Sequence, residues 1–220
     1  MKKIFILIVL VSLCSSQSPE IRKYNQDVKT SFGKEKVDAI NNLVFYRGGK
    51  PEFHDENRKL ILESLSLADS LKYAEGRVDS WLGMSSLYSH KDSIKKYVEK
   101  ADLVSDAIGY ERGIAEVLRK YALLALKKKE YVTSLEKAKK AESIYKTINS
   151  ETNFFFIGRQ AATLNQISNI YRSMGDVGTS LDYSLKAMEI LSDNKDHSNY
   201  RASKNMAIQN YAELERYRKS

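Results

Sequence analysis

One cysteine, Cys14, is all the chain has, so no disulfide can form within it and the fold must rest on packing alone. Proline is almost as scarce. Pro19 and Pro51 are the only two, and their absence beyond Pro51 leaves the rest of the chain free to form long helices. The three histidines, His54, His90 and His197, fall in turn-like stretches with no second ligand at helical or loop spacing. They read as surface histidines, and no metal site is expected. The one long apolar run, Ile4 to Leu13, is too short to cross a bilayer as a helix. There is no serine elbow and no HExxH pair. Gly48-Gly49-Lys50 has the look of a phosphate-loop fragment, but the preceding strand and the Ser or Thr after lysine are missing, so it reads as a turn. The expectation is a protein that is not an enzyme, with no catalytic residues and no cofactor.

The start of the chain has its own signature. Lys2-Lys3, the run Ile4 to Leu13 and then Cys14-Ser15-Ser16 form the three regions of a secretory signal. Residues 1–16 are therefore expected to be a signal peptide, and the mature chain to be periplasmic or secreted. The alternative is a membrane-anchored lipoprotein through Cys14, against which Leu13 counts because that position usually carries a small residue. Residues 17–34 are polar and contain Pro19, and are expected to be a flexible leader.

Charge is plentiful and dispersed. Lys and Arg number 36 against 28 Asp and Glu, a formal excess of +8. Lys127-Lys128-Lys129 with Lys137, Lys139 and Lys140 could form a patch for nucleic acid or anionic lipid. Interleaved glutamates make a solvated helical face the better reading, and export argues against nucleic acid. Phe154-Phe155-Phe156 is read as packing on the helix before it, against Ile144, Tyr145 and Ile148, rather than as an exposed partner contact.

The stretch Gln160 to Leu191 organises the remainder. Leu164, Ile167, Ser168 and Tyr171 recur at three- and four-residue intervals and so share one helix face. Met174-Gly175-Asp176 breaks the pattern, since glycine ends a helix readily and aspartate caps the next. Val177, Leu181, Ser184, Ala187, Met188 and Leu191 line a second helix. Leu118, Tyr121-Ala122, Ala125, Tyr131, Ser134, Ala138 and Ala141 repeat these offsets, with Lys129-Glu130 in place of Gly175-Asp176. Trp81, Met84-Ser85, Tyr88, Ile94, Ala101 and Val104 fit again, although Tyr97 replaces a small residue and Asp92 the turn glycine. Val104 to Ala141 is 37 residues and Ala141 to Ala187 is 46. Ala68 in LSLADSL matches Ala141 and Ala187, so residues 35–73 read as a degenerate first copy whose turn is enlarged around Gly48 to Pro51, with Asp55 as the next N-cap.

These offsets resemble the tetratricopeptide repeat, which has a large residue, a large-small pair, an aromatic, and small residues on the second helix, over a period of about 34. The resemblance implies an all-α, right-handed superhelical stack of helix-turn-helix repeats, with hairpins near 35–73, 77–108, 114–148 and 153–191 and a terminal helix at 200–219. It covers residues 77–191 well and the flanks weakly. It further implies a concave groove lined by the first helices, where Asn165, Asn169 and Arg172 join Arg119 and Leu123, with Lys204 added, to bind a protein or peptide partner. Leu82 and Ser86 depart from the family's carboxylate clamp. No membrane span is expected in the mature chain. A second reading is that the chain resembles the sensory half of a repeat-containing bacterial regulator lacking its output domain.

Overall fold

A computed structural model describes residues 19–148, 154–195 and 197–219, with the side chains of Pro19, Glu20, Phe154 and Phe155 not among them. The signal peptide, Cys14 and most of the Phe154 to Phe156 cluster lie outside that set. Among the described residues there is no strand. Ten helices follow in order: α1 (Pro19–Thr30), α2 (Gly33–Arg47), α3 (His54–Ser70), α4 (Ala74–Ser85), α5 (Lys91–Ala107), α6 (Glu111–Lys127), α7 (Tyr131–Ile148), α8 (Phe154–Ser173), α9 (Val177–Glu189) and α10 (Ser198–Lys219). A single 3-10 turn, Pro51–Phe53, sits between α2 and α3. No described helix is long and apolar enough to cross a membrane.

The chain divides into two compact units at Val104 and Ser105, inside α5. In the first, α1 packs on α2, α2 on α3 and α3 on α4, while α2 also meets α4. In the second, α6 to α10 pack each on the next, and α8 additionally touches both α6 and α10. Most packing is thus between helices consecutive in the chain, while α2 with α4, α6 with α8 and α8 with α10 also meet two places apart, as in a helical repeat.

The second helices each bury an alanine at one position. Ala68, Ala101, Ala141 and Ala187 are all fully buried, and each stands seven residues after another buried position, Ile61, Ile94, Ser134 and Ser180. Ala101, rather than Val104, therefore pairs with Ala141. The offset expected from Val104 fails because α4 ends at Ser85, five positions short of where α6 and α8 end in register. The turn that follows is two residues longer, so the stretch from Ser85 to Ile94 is three residues shorter than those from Ala122 to Ser134 and from Ser168 to Ser180.

Helix ends follow one chemistry. The N–H of Tyr73, Tyr110, Glu130 and Asp176 each reaches back five residues, to the carbonyls of Ala68, Ser105, Ala125 and Tyr171, at 2.8–3.0 Å. The preceding residue is left-handed every time: Lys72 (φ 50°), Gly109 (63°), Lys129 (63°) and Gly175 (88°). Glycine fits that conformation; the two lysines occupy it under strain. Asp176 then caps α9 by accepting from the Thr179 N–H at 2.9 Å.

Three expectations need correction. Residues 19–30 are not a flexible leader but helix α1, held by buried Ile21, by Tyr24 against Tyr46 at 5.6 Å, and by Asn25, which accepts from Arg47 at 3.1 Å. Asp55 lies in the first turn of α3, where its charge favours the helix start, but Phe53 holds the N-cap position. His197 is buried rather than a surface residue.

Candidate functional site

Within the second unit, the periodicity of α6 places Glu116, Arg119, Lys120 and Leu123 on one face, from which Glu116 and Arg119 meet α7 and α8. Glu116 is buried. Both of its carboxylate oxygens accept from Arg119 Nη1 at 3.1 Å, Arg159 Nε of α8 stands 3.5 Å away, and the Tyr145 hydroxyl of α7 donates to it. Burial alone would raise this carboxyl, but Arg119, Arg159 and the Tyr145 hydrogen bond outweigh it and hold it at about 2. The same burial pushes Lys120 down to about 8, with Glu116 opposing and the two guanidiniums assisting. It drives the Tyr145 hydroxyl well above its ordinary range, Glu116 adding to that. One carboxylate thus serves as the hub for a cluster of cations between three helices.

The expected groove residues meet different fates. Arg119 is only 17% exposed and held by Glu116, while its carbonyl accepts from Gln166 at 2.9 Å. Leu123 is half-buried and Asn169 is exposed. Asn165 is turned inward, not toward a groove. Its amide donates to the Asn199 carbonyl at 3.2 Å, and its oxygen accepts from Ser203 at 2.8 Å. The cause is a seam that the first unit repeats: Asn41 donates to the Gly76 carbonyl at 3.0 Å and accepts from Ser80 at 2.9 Å. In both places an asparagine ties one first helix to the serine-bearing turn of the next.

That seam sets the register of α10. Ser203 corresponds to Ser80, so Lys204 corresponds in register to Leu164 and not to Asn169 or Arg172. Lys204 is exposed, on a different face of α10 from the expected groove.

Arg172 does face an open cleft. Its Nη1 donates to Gln209 at 2.5 Å and its Nη2 to Glu213 at 3.2 Å, fixing the guanidinium between α8 and α10. The cleft has a volume of about 540 Å³ and is lined by Arg172, Gln209, Ala212, Glu213, Arg216 and Tyr217. A smaller hollow of about 250 Å³ lies over α7, α8 and α9, floored by Leu164 and Tyr183 and crossed by the Lys146–Glu142 pair.

The remaining candidates are structural. His197 Nδ1 accepts from the Asn199 N–H at 3.1 Å, and a Cβ on Gly158 would stand 2.7 Å from its Nε2. His54 bonds the Gly49 carbonyl at 2.9 Å. Lys137 and Lys139 lie over the rings of Tyr121 and Tyr171 at 5.7 and 5.6 Å, and Lys140 pairs with Glu136 at 2.9 Å. Among the described residues no three His, Cys, Asp or Glu side chains converge as metal ligands. Of the Glu116 hub, the periodicity could have exposed Tyr145, four residues after Ala141 on the buried face. Glu116 and Arg159 carry no such signal.

Helix order and packing define an all-helical, repeat-like protein. The chain is similar in fold to BtubC (BKLC) from P. vanneervenii, whose crystal structure matches with a TM-score of 0.51 at 14% identity, over 89% of this chain and 88% of that one. At that identity the likeness is one of fold alone. No protein-family model and no curated protein matches the sequence.

Proposed function

We propose that the protein is an exported, non-catalytic scaffold, a right-handed superhelical stack of tetratricopeptide-like hairpins that binds a protein or peptide partner along its first helices. The repeated first-helix seam, the buried alanine shared by the second helices and the fold likeness to BtubC support the architecture. The observation that carries the binding role is the open cleft between α8 and α10, with Arg172 already fixed on its wall. A side chain that is ordered beforehand loses little entropy when a ligand arrives. The lining holds two guanidiniums, Arg172 and Arg216, against one carboxylate, Glu213, an excess that favours a ligand bearing carboxylates of its own.

The test is capture from an extract of the source cell's envelope, comparing the parent protein with an Asn169, Arg172, Arg216 triple-alanine variant whose helicity and melting are first checked. Arg119 is left intact, because truncating it would strand Glu116 in the interior. A partner held by the parent and lost by the variant supports the cleft as the site. A partner held equally by both removes it.

A further inference from the structure

The first helices share a register, and α10 breaks a rule that the others obey. In α4, α6 and α8 the positions Ser85, Ala122 and Ser168 are buried, and the latter two meet the helix that follows. Ser134 of α7 donates to the Ala122 carbonyl at 2.7 Å, and Ser168 donates to the Ser180 carbonyl of α9 at 2.7 Å. Three residues on, Tyr88 stacks on Tyr97 at 5.6 Å and Tyr171 on Tyr183 at 5.5 Å. Counting from Ser203, the corresponding residues of α10 are Ile208 and Tyr211, and they are 55% and 52% exposed. No helix of the described residues covers them.

We propose that this face of α10 receives an acidic amphipathic helix from a partner protein, seated as α9 is seated on α8. The apolar pair supplies the contact and the flanks choose the occupant. Arg201, Lys204 and Arg218 lie on the same stripe with Glu215 as the one acid, and all four are exposed. Such a stripe attracts acidic flanks and repels basic ones. A second copy of the chain would bring the same excess of cations, and the Ile4 to Leu13 segment is led by Lys2-Lys3. This interface is separate from the α8–α10 cleft, and each can fail without the other.

The probes are two stapled helical peptides built on residues 177–191, the α9 sequence. Both keep Ser180, Tyr183 and Ala187. One carries Glu at positions 182, 185 and 186, the other Lys. Fluorescence anisotropy with the full chain should show the acidic peptide binding at least about tenfold more tightly than the basic one, with the difference shrinking as salt rises. Ile208→Asp and, separately, Tyr211→Ala should each weaken binding about tenfold or more, while Arg172→Ala leaves it unchanged. Melting curves confirm that each variant is folded, and two variants guard against one failing. Absence of binding by either peptide, or equal binding by the parent and both α10 variants, overturns the proposal. So does sedimentation showing a dimer of the parent that Ile208→Asp dissolves, since a second copy would then be the occupant.

Discussion

The Tyr145 hydroxyl donates to the Glu116 carboxylate, linking α7 to α6 at the point where Arg159 of α8 also arrives. Removing the acid leaves Arg119, Lys120 and Arg159 facing one another without it. Glu116→Ala should therefore cost about 3–5 kcal/mol, the usual penalty for breaking a buried ion pair from one side. Tyr145→Phe removes only the hydroxyl and should cost about 1–3 kcal/mol. Urea melts of the two variants at pH 7 check both the size and the order.

The same hub sets an acid limit. Glu116 titrates at about 2 in the folded protein against an ordinary 4.5, so its contribution is complete above about pH 4.5 and is lost as pH falls towards 2. That difference corresponds to roughly 3 kcal/mol as an order of magnitude. Glu116→Gln should be less stable at pH 7 and should lose less of its remaining stability between pH 4.5 and 2.5 than the parent does. Parallel acid slopes for the two proteins would contradict this.

Lys120 acts in the opposite direction. A lysine lowered to about 8 holds its charge at a cost below that pH, and the unfolded chain binds more protons between pH 8 and 10.5. Stability should therefore rise across that window. The side chain is partly exposed, so screening reduces the effect to about 1 kcal/mol. Lys120→Met should be more stable than the parent at pH 7 and should lack the rise between pH 7.5 and 9.5. Staying below pH 10 keeps Tyr145, whose raised hydroxyl works the other way, out of the comparison.

How much of this was legible beforehand depends on whether a feature is periodic. The second helices announce themselves because Ala68, Ala141 and Ala187 recur at the same place in their local sequence patterns, and the cap at Asp176 follows from the glycine before it. Helix α1 is hard to read because its apolar stripe is only Ile21, Tyr24 and Val28 in an otherwise polar sequence. Asn165 misleads for a different reason. An asparagine on a first helix reads as a groove residue until the neighbouring serine is seen to meet it, and Ser203 lies 38 residues away. Trp81 takes the repeat's tryptophan position yet is only half-buried, with Arg77 and Lys100 over its ring. The fully buried residue is its neighbour Leu82. Pairing partners that are distant in sequence leave no mark on local periodicity, which is why the Glu116 hub was invisible.

Lys129 offers the cleanest separation of backbone from contact. It sits at φ 63° in the turn between α6 and α7, where Gly175 stands in the turn between α8 and α9, and both turns close with the same five-residue reach to Ala125 or Tyr171. A left-handed lysine costs about 1–2 kcal/mol, while glycine loses part of that advantage through the larger freedom of its unfolded chain. Lys129→Gly should therefore stabilise the protein by about 0.5–1 kcal/mol, and Lys129→Ala, which keeps the strained Cβ, should not. The Gly substitution should raise the thermal midpoint by a few degrees and the Ala one should leave it in place. Equal midpoints for the two variants would mean that the turn relaxes out of the left-handed conformation whenever the lysine is replaced.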